Sequence, residues 1–157
     1  DKLVTGVQTC ALPISIAAYM TVLYRYARVA VGAGIPEKAT TGANWVEAAN
    51  WVNSFLMDGK YPDLNANMTR YQMAEITAKV LQTVSTLTGK TLNTRSTHGF
   101  TDVTPGSAHY EAVAYLESVY GIDGNPAGDG AYTFLGDNNI RRSEVAQVVY
   151  NIMTKSA

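Results

Sequence analysis

The chain has 157 residues, enough for one ordinary domain and too few for two large ones. Hydrophobic residues make up 46%, so a packed core can form, while a net charge of −1 excludes the basic surplus expected of a nucleic-acid binder. No apolar run reaches the length of about 18 residues that a membrane-spanning helix needs. Ten tyrosines and two tryptophans suit either core filling or aromatic surfaces for sugars.

Val4 to Ile14 reads VTGVQTCALPI, a string similar to a translated high-throughput sequencing adapter. Residues 1–14 are therefore expected to be a non-native leader that packs poorly on the rest. A degenerate signal peptide fits worse, because Lys2 is the one basic residue there and Pro13 breaks a short apolar stretch. The single cysteine, Cys10, falls inside this leader and carries no expectation of a disulfide or a metal site.

An apolar stripe at helical spacing begins with Ile16, Tyr19, Met20, Leu23 and Tyr24. It recurs at Met73, Ile76, Thr77, Val80 and Leu81, and again at Val145, Val148, Val149, Ile152 and Met153. The spacing predicts amphipathic helices over 16–30, 71–86 and 143–153. A different helix precedes each of the last two. Trp45, Ala48, Ala49, Val52, Phe55 and Leu56 match His109, Ala112, Val113, Leu116, Val119 and Tyr120. Both runs stop at an Asp-Gly pair, Asp58-Gly59 and Asp123-Gly124. The unit is helix, loop, helix, about sixty residues long. Its third copy is lengthened by the linker from Thr88 to Gly99 and by an insertion around Pro126 to Tyr132. One unit cannot bury its stripes alone, so the copies are expected to pack together. The expected fold is all-α, with the second helices central, any β structure very short, and the first repeat truncated to its second helix.

The third copy closely resembles the S-layer homology family. The residues that carry the resemblance are FTDV (Phe100 to Val103), HYEAVAYLESVYGIDG (His109 to Gly124) and TFLGDNNIRRSEVAQVVYNIM (Thr133 to Met153). The second copy contributes MTRYQMAEI (Met68 to Ile76) and the first IAAYMTVLYRYA (Ile16 to Ala27). The resemblance implies a pseudo-threefold module of tandem repeats, with a first-repeat remnant at 15–33, a second repeat at 34–90 and a third at 95–157. It also implies non-covalent anchoring of an extracellular surface protein to the bacterial cell wall. The partner implied is an anionic, pyruvylated secondary cell-wall polysaccharide, with no catalysis, no cofactor and no membrane insertion.

The arginine of the family's motif falls on Arg70 and Arg142, each opening a second helix. Free N–H groups and the positive dipole end favour an anion there, and a guanidinium fork suits a carboxylate. Thr69 and Gln72 form a T-x-x-Q capping box; Arg141 stands where the family has threonine, so the third copy is expected to lack its cap. In the first copy the position matching Arg70 is Pro13, which leaves that copy without the arginine. Trp45 stands near the family's aromatic residue and is a candidate sugar platform. Asp102 matches an early aspartate of the family, with Glu37 its loose counterpart, and Asp102 serves equally well as a turn cap. The expected ligand-binding set is Arg70, Arg142, Trp45, Asp102 and Thr69. Both arginines are expected to be exposed, adding little to stability.

Other chemistry finds little support. His98 and His109 have no cysteine or acidic triad at metal spacing. Asp123, Asn125 and Asp129 sit in a glycine-rich loop that invites calcium but does not follow the EF-hand spacing. No nucleophile elbow, P-loop or dinucleotide fingerprint occurs. Two alternatives stay open: a structural module contacting other surface-layer subunits, and a glycoside hydrolase remnant, which needs two carboxylates facing one cleft.

Overall fold

The computed structural model describes residues 10–157. Helix α1 (Ile16–Val31) opens on Ser15, whose hydroxyl accepts from the Ala18 N–H at 3.1 Å. Helix α2 (Glu47–Trp51) runs directly into a wide π turn, Val52–Leu56. Helix α3 (Arg70–Thr88) opens on Thr69. Helix α4 spans Tyr110–Ser118, and helix α5 (Arg142–Asn151) continues into a second π turn, Ile152–Ser156. The first two predicted stripes lie on α1 and α3; the third begins on α5, but its last two residues, Ile152 and Met153, fall in the π turn, where Met153 is 59% exposed. Tyr19, Met20, Met73, Ile76, Leu81 and Val148 are buried in one core with Met68, Leu116, Phe134 and Ile140.

The chain is not all-α. Strands β1 (Asn125–Gly128) and β2 (Ala131–Thr133) form an antiparallel hairpin, which makes the fold mixed α/β, though mostly helical. The cause lies in the insertion read as loop. Gly128, Asp129 and Gly130 take positive φ of 89°, 53° and 74°, which lets the chain reverse tightly. Asn125 then pairs with Thr133 and Pro126 with Tyr132, with a bulge between Pro126 and Gly128.

The first helices of the units also depart from expectation. The π turn after Trp51 rotates the face of the helix, so Phe55 is exposed and stacks on Trp51 at 5.9 Å. Helix α4 ends at Ser118, well before Gly124, with Tyr120 in the left-handed region at φ 68°. Arg95 takes over as its C-terminal cap. Its Nε donates to Glu117 O (3.0 Å), its Nη2 to Ile122 O (2.7 Å), and Nη2 also pairs with Asp123 at 2.8 Å.

What locks α1, α3 and α5 together is a closed ring of short extended segments that lead into them. Ser15 bridges Asn67, Thr69 bridges Asn139, and Arg141 bridges Pro13, each antiparallel. The first amide of each helix donates to the next segment: Ile16 N–H to Ala66 O (3.1 Å), Arg70 N–H to Asn138 O (2.9 Å), and Arg142 N–H to Leu12 O (3.0 Å). Ile16, Arg70 and Arg142 are therefore equivalent. The residue matching Arg70 in the first copy is Ile16, three residues after Pro13. An apolar pattern at 3.6-residue spacing nearly repeats itself after one turn, which is why the stripe alone allowed the slip.

The ring also bears on the expected leader. Residues 1–9 lie outside the described residues. Within the rest of it, Leu12, Pro13 and Ile14 form the first segment of the ring, and Ile14 is 7% exposed, inside the core. Ile14→Ala should cost about 2–5 kcal/mol, the usual range for such a truncation in a core. Urea unfolding of parent and variant checks this; equal midpoints would take Ile14 out of the core.

Glu75, on the outer side of α3, joins the second unit to the third. It accepts from Tyr61 OH (2.9 Å) and His109 Nδ1 (2.7 Å) and pairs with Lys60. Burial raises its pKa, but the hydrogen bonds from Lys60, Tyr61 and His109 outweigh burial and hold the carboxyl below the usual carboxylate range. A carboxyl with a lowered folded pKa contributes stability that is present above its unfolded pKa and lost as pH falls through its folded pKa. The melting temperature of the parent should thus drop in acid below the normal carboxylate range, more steeply than that of Glu75→Gln. Parallel pH profiles for the two would remove Glu75 from the acid response.

Candidate functional site

The starts of α3 and α5 were expected to present free N–H groups. At α3 they are consumed internally. Arg70 N–H goes to Asn138 O, Tyr71 N–H to Gly136 O (2.9 Å) and Gln72 N–H to Thr69 Oγ1 (3.1 Å). Thr69 N–H in turn donates to Gln72 Oε1 at 2.9 Å, so both halves of the capping box are formed. At α5, Arg141 cannot accept from the helix, yet half a box remains, with Glu144 Oε1 accepting from Arg141 N–H at 3.2 Å.

Arg70 is 8% exposed, which corrects the expectation of a surface arginine. Its Nε donates to Phe134 O at 2.7 Å, its guanidinium lies over the Phe134 ring at 5.1 Å, and Nη1 pairs with Glu144 of α5. The planar fork meets a carbonyl and a carboxylate at once, a geometry lysine could not copy. Arg70 is thereby a staple between α3, the turn at Phe134 and α5.

Asp102 secures the same turn. Its Oδ1 accepts from Phe134 N–H and its Oδ2 from Leu135 N–H, both at 2.8 Å, while Leu135 holds a left-handed φ of 58°. Tyr71 covers the turn from above. Its ring sits so close to Gly136 that any Cβ there would collide with it, and it also packs against Phe134 at 5.6 Å and stacks on His109 at 3.9 Å. Arg70 and Asp102 are thus brought together around Phe134 and Leu135, while Thr69, next to Arg70, caps its own helix and bridges Asn139. Arg142 stands apart and exposed, with Nε donating to Pro13 O at 3.3 Å. Trp45 is half-buried against the core and lines neither hollow beside Arg70. Glu37 is exposed.

Two hollows flank the Arg70–Glu144 pair. The outer one, about 310 Å³, is lined by Asn125, Leu135, Asn138, Asn139 and Arg141 as well as by the pair itself. The inner one, about 160 Å³, runs from Met73 to Gln147 and Asn151. Arg141 is exposed at the outer mouth. The hollow therefore offers one exposed guanidinium and several side-chain amides, a donor-rich wall that suits carboxylate and hydroxyl groups. Sequence reading did not single out Arg141, Asn125, Asn138 and Asn139 as the lining of this hollow, because the fold has to bring Asn125 and Arg70 from two other segments against the run from Asn138 to Arg141. One signal was available: the doubled arginine at 141 and 142.

Glu117, His98 and Asp123 are bound up in the fold itself. Glu117, 1% exposed, accepts from the backbone N–H groups of His98 (3.0 Å) and Gly99 (3.1 Å). His98 stacks on Tyr132 of the hairpin at 3.9 Å. Asp123 pairs with Arg95. Among the described residues, no group of three or more side chains converges as a metal site, and no helix is long and apolar enough to cross a membrane. No family model, no curated protein and no solved structure matches the chain.

The two arginines should separate folding from surface chemistry. Arg70→Ala removes a charge-assisted hydrogen bond and leaves Glu144 without its partner, at a cost of about 1.5–3 kcal/mol. Arg141→Ala should change stability by no more than about 0.5 kcal/mol, as for an ordinary surface substitution. Thermal and urea melts measure both; a neutral Arg70→Ala would show the staple to be idle.

Proposed function

We propose that this chain is a non-catalytic binding module that anchors a bacterial surface protein by gripping an anionic, pyruvylated secondary cell-wall polysaccharide. The observation that carries the reading is the amide- and guanidinium-lined hollow between the starts of α3 and α5. It has room for a sugar ring, and its exposed cation is Arg141. The motifs at 100–153 that resemble the S-layer homology family support the same class of partner.

In this reading the ligand carboxylate pairs with Arg141, and sugar hydroxyls bond the amides of Asn125, Asn138 and Asn139. Arg70 contributes by holding the wall of the hollow in place. Arg142, exposed on the neighbouring segment, adds positive field. A charge-assisted contact of this kind is worth about 1.5–3 kcal/mol, or roughly ten- to a hundredfold in affinity. Titration of parent, Arg141→Ala and Asn139→Ala against purified pyruvylated wall polymer tests the assignment, with polymer stripped of its pyruvyl groups as the comparison. Arg141→Ala should lose at least tenfold, and stripped polymer should bind the parent as weakly. Unchanged affinity in Arg141→Ala, or equal binding of stripped and native polymer, would overturn it.

A further inference from the structure

Helix α2 and its π turn have two faces. Ala48, Ala49 and Val52 are buried against the core. Glu47, Asn50, Trp51, Ser54 and Phe55 recur at three- and four-residue spacing on the other side. With Lys38 from the preceding loop they line one open hollow of about 350 Å³. The outer face of a helix is ordinarily polar throughout, yet this one carries two large aromatic rings. The π turn swings Phe55 outward, where it is 70% exposed. Its ring lies 25° from parallel to that of Trp51, with centroids 5.9 Å apart. Tyr24 of α1 meets Trp51 edge to face at 6.1 Å, which fixes the platform to the body of the protein. The same tyrosine's hydroxyl accepts from the Lys38 N–H at 2.6 Å and so positions the loop that carries Lys38.

The rim decides the occupant. Lys38, Glu47, Asn50 and Ser54 are all exposed and all form hydrogen bonds: the lysine donates, the carboxylate accepts, and the amide and hydroxyl do both. One Glu47 oxygen accepts from the Ala39 N–H at 3.2 Å, which holds the carboxylate in place. A lipid or an apolar helix laid on the rings would strip water from a cation, a carboxylate and an amide without replacing it. A pyranose matches both parts of the surface. Its C–H face packs on an aromatic ring, and its hydroxyl edge donates and accepts. Lys38 and Glu47 offset each other, so the hollow has no net charge with which to select an ionic sugar. We infer that the outer face of α2 is a binding site for an uncharged pyranose, built on Trp51 and Phe55 and separate from the hollow at Arg141. This does not rest on the anionic ligand proposed there.

The test titrates the full chain by calorimetry with four uncharged trisaccharides: cellotriose, maltotriose, mannotriose and triacetylchitotriose. A Trp45→Phe variant, which leaves Trp51 as the one tryptophan, is titrated by fluorescence with the same sugars. At least one sugar should bind the parent and shift Trp51 emission. Phe55→Ala and Asn50→Ala should each weaken it by about tenfold while melting like the parent, because both positions are exposed. Arg141→Ala should bind it with the parent's affinity. Absence of binding to all four sugars at about 10 mM would overturn the inference, since even a weak single-ring contact registers there. So would parental affinity in both Phe55→Ala and Asn50→Ala, binding that leaves Trp51 emission unchanged, or loss of binding in Arg141→Ala, which would move the sugar to the other hollow.

Discussion

The ring of three extended segments is the constraint on which the remaining structure depends. Each helix of the central trio has an orphan first amide, and each finds its acceptor on the neighbouring segment rather than in water or in its own cap. One set of bonds therefore satisfies three helix starts and fixes their relative heights. Residues at the ring's inner positions, Ile14, Met68 and Ile140, then point into the core as a set. Once the starts are pinned, the apolar stripes of α1, α3 and α5 have one way to meet.

The same constraint explains why the site differs from its sequence reading. An arginine at the first position of a helix is normally solvated. Here the ring presses the start of α3 against the turn at Phe134, so the Arg70 guanidinium is enclosed and answered by Glu144 from across the seam. The amides that would have met an anion are already bonded to Asn138, Gly136 and Thr69. The exposed donors lie further out, on Arg141 and the asparagines that line the hollow. Asp102 follows the same logic: it looks like a ligand contact in the motif, but both its oxygens are spent on the Phe134–Leu135 turn.

The departures in fold have local causes. The hairpin arises from Gly128, Asp129 and Gly130, a reversal that turn chemistry favours and that reads as mere loop when the eye follows helical stripes. The π turn at Val52–Leu56 turns Phe55 outward, which no helical wheel with a fixed period can foresee. Arg95, in a stretch that looks like plain linker, caps α4 through carbonyls that only the folded chain brings together.

By itself the sequence determined the periodic parts: the stripes of α1, α3 and α5, the Thr69–Gln72 capping box, and the repeated helix-loop-helix order. These are local, because side-chain spacing along one helix and hydrogen bonds three residues apart need no distant partner. Tertiary structure decided the register between copies, the burial of Arg70, the hairpin's place beside His98, and the meeting of Asn125 and Arg70 with the run from Asn138 to Arg141. Each of these rests on bonds or contacts between residues far apart in the chain, such as Arg70 with Glu144 and Asp102 with Phe134. A helical pattern tolerates a shift of one turn with little change in its apolar face, so only the bridges between segments could choose Ile16, rather than Pro13, as the partner of Arg70.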